Sequence, residues 1–236
     1  MKTSLLPLLL TLIGAPLCQA VERMEIAKVN TDSLTTETQV YGQNVGEDHM
    51  LFIWWMPFEF WQSTISQDNT LTDLEKKEFL ETLEDYSLVA IVQGDFTTLG
   101  TMKFYSREEV NKNLKITYQP EKGPATEIFQ EENISPELNV LLNIFKPMLA
   151  QMMGNMGSSM HFFVLKNTDG DDKKIIDPYQ KGSIQFQVAK RKDKAIIKDK
   201  IEMPLNSLYI PRKCPNGNDA HISWKYCPWT GKKLPE

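Results

Sequence analysis

The chain has 236 residues, 41% hydrophobic and 24% charged, which is ordinary for a globular domain and excludes a disordered, collagen-like or polytopic membrane protein. A formal net charge of −5 argues against a nucleic-acid binder, because phosphate contacts need surplus Lys and Arg. Three cysteines are too few for a disulfide-built scaffold, so the fold must rest on apolar burial.

In chain order, the first twenty residues have the layout of a secretory signal peptide. Lys2 gives a positive start, Leu5 to Ile13 form an apolar run broken by Pro7 and Thr11, and Cys18-Gln19-Ala20 places small residues for cleavage after Ala20. The run is too short to span a membrane, and Leu17 before Cys18 does not fit a lipid-anchor site. Cleavage would remove Lys2 alone among the charges, leaving 25 basic against 31 acidic residues, a net charge of −6. The expected location is therefore periplasmic or secreted, with Cys214 and Cys227 meeting an oxidising compartment.

Glu22 to Asn30 alternates as a strand would, and residues 31–49 read as a polar loop or weak hairpin. Met50 to Phe60, the most apolar run, predicts a buried strand bent at Pro57. Trp54, Trp55 and Trp61 could line a ligand groove, and Glu59 could serve as a general acid within it. Strand alternation nevertheless puts Glu59 on the solvent face, opposite Phe58 and Phe60. Without an assignable second carboxylate, glycosidase geometry has no footing.

Thr72-Asp73-Leu74-Glu75 is a capping box, predicting a helix to about Tyr86 that buries Leu74, Phe79, Leu80 and Leu83. Ser87–Val92 and Leu99–Tyr105 follow as strands across a turn at Gly94-Asp95, then a strand through Leu114, Ile116 and Tyr118 that stops at Pro120. Ser135-Pro136 starts a second long helix, kinked by Pro147 and ended by Gly154 and Gly157. Its Met148, Met152 and Met156 recur every four residues, as a core stripe does. With Met153, Met160 and His161 they are also the soft ligands that would suit Cu(I). Met160–Leu165, Ser183–Val188 and Ala195–Ile201 complete the strands.

Asn167 to Asp172 resembles part of a calcium loop, but Asp172 and Pro178 occupy the places where an EF-hand needs Gly and Glu, so a hairpin turn at Asp169-Gly170 is expected. Lys190-Arg191-Lys192, interrupted by Asp193, reads as a solvated turn. None of the three histidines sits in a spacing with a known mechanism, and there is no phosphate-binding glycine loop.

The tail holds the most specific pattern. Cys214-Pro215-Asn216-Gly217 and Cys227-Pro228-Trp229-Thr230-Gly231 resemble the paired Cys-Pro-x-Cys-Gly knuckles of the zinc ribbons found at the ends of many bacterial proteins. Gly217 and Thr230 stand where the second cysteines would be, so the resemblance is to a degenerate ribbon. Four thiolates around one zinc lie close together, and the two that remain are placed to form a disulfide worth on the order of 3 kcal/mol through the unfolded state. Zinc on Cys214, Cys227, His221 and Asp219 is the less economical alternative.

These readings define an α+β fold, mostly antiparallel, with two main helices: residues 1–20 a signal peptide, 21–210 one domain, 211–236 a clipped tail. Length, leader and tail are similar to those of bacterial exported proteins that carry no assigned activity. The expected function is a non-catalytic binding or interaction protein of the envelope, with an envelope protein or small ligand as partner. Copper or zinc binding is the first alternative and an envelope-polymer hydrolase using Glu59 the second. No cofactor, catalytic residue, nucleic acid or membrane span is expected.

Overall fold

A computed structural model describes residues 21–42, 46–169, 171 and 173–234, leaving aside the side chains of Ala150 and Met152. Residues 1–20, the expected signal peptide with Cys18, lie outside the described residues. The fold is α+β, with every strand pairing antiparallel.

The chain does not open on a strand. Arg23 makes one bridge to Tyr209, residues Ile26–Lys28 form a 3-10 turn, and the side chain of Asn30 caps α1 (Thr31–Glu37) by accepting from the Ser33 amide. The stretch expected to be loop is thus a short helix that buries Leu34, followed by β1 (Gln39–Tyr41) on the edge of the first sheet. A polar-looking segment becomes regular here because an Asx cap and one buried leucine outweigh composition.

β2 (His49–Met56) ends where Pro57 removes the amide needed to continue the ladder, and Pro57 becomes the N-cap of α2 (Phe58–Gln67). The long apolar run is therefore strand then helix, and Glu59, Phe60 and Trp61 follow helical rather than alternating geometry. The capping box at Thr72 forms as expected and starts α3 (Asp73–Leu83), which stops short of Tyr86; Leu74 is exposed while Leu83 is buried.

β3 (Tyr86–Phe96) runs straight through Gly94-Asp95, with Gly94 opposite Met50 on one side and Phe104 on the other. A Cβ at Gly94 would sit 2.6 Å from Met102 Sδ, so the glycine serves close strand packing rather than a turn. The reversal comes at Thr97–Gly100, leaving Leu99 exposed before β4 (Met102–Phe104). A second capping box at Ser106 opens α4 (Arg107–Asn111), followed by β5 (Lys115–Pro120) and β6 (Thr126–Ile128).

Ser135 caps α5 (Pro136–Met153), which contains Pro147 and ends at Gly154 with φ 58°, ahead of the short α6 (Asn155–Ser158). With α2, there are three substantial helices rather than two. Met153 and Met156 pack against the core and Met160 is buried within it, but Met148 faces out with Val140 and Ile144, so the methionine stripe is only partly a core stripe. β7 (His161–Lys166), β8 (Gly182–Ala189) and β9 (Ile196–Met203) complete the body.

In the first sheet the order is β1-β2-β3, and the far edge of β3 is shared by β7 and β4. The second is β6-β5-β8-β9. A bridge from Gln130 to Leu165 joins the two. β3 is buried along nearly its whole length, as a strand covered on both faces must be. The Trp54 side of β2 meets Phe60 of α2 at 5.3 Å, while the His49 side, shared with Gln93, faces the second sheet, where Gln93 donates to the Ala189 carbonyl at 3.0 Å. One continuous core fills the space, with Phe52, Trp55, Phe163 and Phe186 fully buried.

The tail forms β10 (Arg212–Lys213) and β11 (Asp219–Ala220), then a bridge from Tyr226 to Lys233. Cys214, Ala220, Cys227 and Leu234 make a separate small cluster. Among the described residues no helix is long and apolar enough to cross a membrane.

Candidate functional site

The residues expected to line an aromatic groove do not line one. Trp55 and Trp61 are buried and Trp54 is half-buried. Trp61 packs 4.8 Å from Phe145 and 6.0 Å from Phe79, so it ties α2, α3 and α5 together. Glu59 does not face solvent either: it is only 3% exposed, and its Oε1 lies 2.5 Å from Lys174 Nζ. A helix turn, not a strand, carries it inward. No second carboxylate or histidine bonds to it among the described residues, so the hydrolase geometry is not assembled.

What Glu59 does instead is hold Lys174 at the edge of a cleft of about 1130 Å³. Asn167 shapes this wall: its side-chain amide donates to the Ile176 carbonyl at 3.0 Å and its oxygen accepts from the Ile176 amide at 2.8 Å. Asp169 accepts from the amides of Asp171 and Lys173, and Thr168 bridges Lys174. This is the hairpin turn expected of the acidic stretch, with the Asp169 carboxylate engaged in closing it; Gly170 and Asp172 lie outside the described residues.

Tyr118, Tyr179 and Tyr209 supply ring surface to the cleft, and Lys122, Lys173, Lys174 and Lys181 supply positive charge. Lys181 pairs with Glu121 at 3.5 Å, the Lys173 charge faces Asp169 and helps hold its carboxyl down, and Lys122 makes no ion pair among the described residues; Glu121, Asp169 and Asp177 also line the cleft. Tyr209 donates to the Tyr179 carbonyl at 2.8 Å, and the Arg23 guanidinium lies 4.0 Å over the Tyr179 ring. Burial, reinforced by the Glu59 charge and opposed by Arg23, pushes the Tyr179 phenol up to about 12. It therefore stays protonated at neutral pH and presents a donor, not an anion. Val21, the first residue after the expected cleavage point, reaches the same cleft.

A second constellation was invisible in the sequence. The turn expected at 190–193 forms, with Lys192 and Asp193 exposed, but Arg191 is half-buried and reaches from it toward the first sheet. It pairs with Asp95 at 3.1 Å and with Glu109 at 2.7 Å, and donates to the Phe104 carbonyl at 3.2 Å. Asp95 also accepts from Tyr105 at 3.2 Å and bonds His49 Nδ1 at 2.7 Å. Gln93 has two amide hydrogens; one serves Ala189, the other His49 Nε2 at 3.2 Å, which leaves Nδ1 of His49 to donate to Asp95. The His49 side chain is fully buried, so this His–Asp pair ties β2 to β3 within the first sheet, while Gln93 and Arg191 carry the link to the second. Arg191 and the Ser106 amide hold the Glu109 carboxyl down at about 2. Burial raises the Tyr105 phenol to about 12, despite the opposing bond from the Arg191 amide. Its members span positions 49 to 191, so no local spacing could have revealed them.

The metal candidates do not converge. Met153, Met156 and Met160 are spent on packing. His161 Nε2 donates to the Tyr105 carbonyl at 2.8 Å, and His221 Nδ1 bonds the Ser223 hydroxyl at 2.8 Å. Among the described residues no three His, Cys, Asp or Glu side chains could hold an ion together.

In the tail each cysteine heads a knuckle turn. Cys214 accepts from the Gly217 amide, whereas Cys227 accepts from the Gly231 amide, one residue further on. Gly217 and Gly231 are the positive-φ residues of their turns, at 86° and 67°. Gly217 thus takes the turn glycine's part, and the first turn is one residue shorter than the second. The thiols of Cys214 and Cys227 are free, buried and hydrogen-bonded to each other. Burial pushes Cys214 up to about 11. For Cys227 burial is outweighed by bonds from the Thr230 hydroxyl, Cys214 and nearby amides, which bring it down to about 7.

No family model matches the chain, and comparison with curated proteins and with solved structures likewise gave no match.

Proposed function

We propose that this is an exported, non-catalytic binding protein whose ligand occupies the cleft between the turn end of the β5–β6 hairpin and the 169–181 loop. The cleft itself carries the reading: about 1130 Å³ of space faced by three tyrosines and by an ammonium, Lys174, set in place by a buried carboxylate. Ring surface with a few placed charged groups is what a small-ligand site needs. Lys122, with no ion pair among the described residues, and the ammonium groups of Lys173 and Lys174 beside it favour a ring-bearing anion, an acidic sugar segment being the simplest of that class. Export, with removal of residues 1–20, would place a new α-amino group at Val21 beside the same cleft and add to its positive charge.

Titration with an acidic oligosaccharide, such as a galacturonate trimer, tests this. Binding heat and amide shifts confined to the 118–122 and 173–181 segments are expected, with about tenfold weaker binding in a Lys122→Ala/Lys173→Ala double variant. Shifts elsewhere, or none, would sink the assignment.

A further inference from the structure

The body and the tail differ sharply in charge. Residues 211–236 carry Arg212, Lys213, Lys225, Lys232 and Lys233 against Asp219 and Glu236, a net charge of +3. Residues 21–210 hold the remaining 20 basic and 29 acidic residues, a net charge of −9. The tail also shows large aromatic side chains to solvent: Tyr226 is 59% exposed, Trp229 55% and Trp224 36%. The two indoles are not scattered, because their rings meet edge-on at 5.8 Å, and Tyr226 stands directly across the bridge from Lys233. Lys225 and Lys232 flank them, both exposed.

The local fold explains why these rings cannot turn inward. Cys214, Ala220, Cys227 and Leu234 already fill the small interior, and the Arg212 guanidinium fixes the 221–224 turn by donating to the carbonyls of His221, Ile222 and Trp224. The aromatic face is thus held outward by the same framework that buries the cysteines. Singly exposed hydrophobic residues are ordinary, but two exposed indoles in contact, with an exposed Tyr and lysines close by in the chain, are the composition of a bilayer-interface anchor.

We propose that the tail docks this protein onto an anionic phospholipid surface, with Trp224, Tyr226 and Trp229 entering the headgroup layer and Lys225 and Lys232 meeting the lipid phosphates. The acidic body is repelled by the same surface, which orients the molecule with its tail down. The cleft reading is not required for this.

Sedimentation of the full protein with vesicles tests it, comparing equimolar phosphatidylglycerol and phosphatidylcholine with phosphatidylcholine alone. Binding is expected only with the anionic vesicles, weakening as salt is added. A blue shift of tryptophan emission should accompany it; Trp55 and Trp61 are buried and Trp54 half-buried in the body, so the tail tryptophan variant assigns the change to Trp224 and Trp229. Lys225→Ala/Lys232→Ala should weaken binding about fivefold per lysine, and Trp224→Ala/Trp229→Ala should abolish the shift. The lysine variant alters only exposed groups, so it decides the matter if the tryptophan variant loses its tail fold. No binding to anionic vesicles, equal binding to neutral ones, or binding unchanged by the lysine variant would overturn the proposal.

Discussion

The body and the tail solve the same problem, holding a chain in one conformation, with very different means. The body's core is continuous across two sheets and three helices, and single rings such as Trp55 and Phe163 are wholly removed from water. Burying a side chain of that kind contributes about 2–3 kcal/mol. The tail has four buried residues, two of them cysteines. A cluster that small cannot offset the entropy of ordering two knuckle turns, which is why such modules depend on a metal or a covalent clip. A large core makes each residue replaceable in principle and costly in practice; a small one concentrates its stability in a single link.

The sharpest way to break this comparison is to open the body's core. Trp61→Ala removes the ring that joins α2, α3 and α5 and should cost about 3–5 kcal/mol in urea unfolding. A much smaller loss would mean that the helices are held by something other than the aromatic cluster. Next is the brace between the sheets. Arg191→Ala strips Asp95 and Glu109 of their shared cation and should cost about 2 kcal/mol; a neutral result would show the network to be dispensable.

In the tail the expected effect is local. We expect Cys214 and Cys227 to join in an oxidising compartment, losing two hydrogens to an external disulfide oxidant, with Cys227, its thiol at about 7, the better thiolate. Intact mass should read two hydrogens short with no bound metal, and reduction should speed proteolysis within 211–236 while the body's unfolding midpoint stays put. A bound zinc would instead make the two cysteine turns a metal site. The smallest effect is acid sensitivity. The Glu109 carboxyl is held at about 2, below the ordinary 4.5, so its contribution is complete above about pH 4.5 and is lost as pH falls toward 2. Its side chain is 43% exposed, so screening keeps this below about 1 kcal/mol. Glu109→Gln should flatten that part of the acid unfolding curve; an unchanged curve would leave the Arg191 pair without energetic weight.

Much of the fold was legible where the signal is local. The cap at Ser135, the capping box at Thr72, the glycine stop at Gly154 and the strands β5, β7, β8 and β9 all follow from residues within a few positions of each other. The run from Met50 to Phe60 was misread because apolar content alone does not tell strand from helix; only Pro57 marked the change. Gly94-Asp95 was read as a turn although Gly94 is there to let Met102 approach. The candidate site was largely illegible: the Tyr–Lys cleft draws on residues from 118 to 209, and nothing near Glu59 in sequence announces Lys174.

The sequence by itself determined the antiparallel α+β character, the helix starts and the two cysteine turns, because caps, glycines and hydrophobic period act over a single turn or strand. Only the tertiary structure decided which polar groups meet: the buried Glu59 with the half-buried Lys174, and the buried His49 with Asp95, which also pairs with Arg191. Such pairs depend on which strands and helices pack against one another, and a charge that looks solvated in its own segment is drawn inside when a distant partner offsets its desolvation.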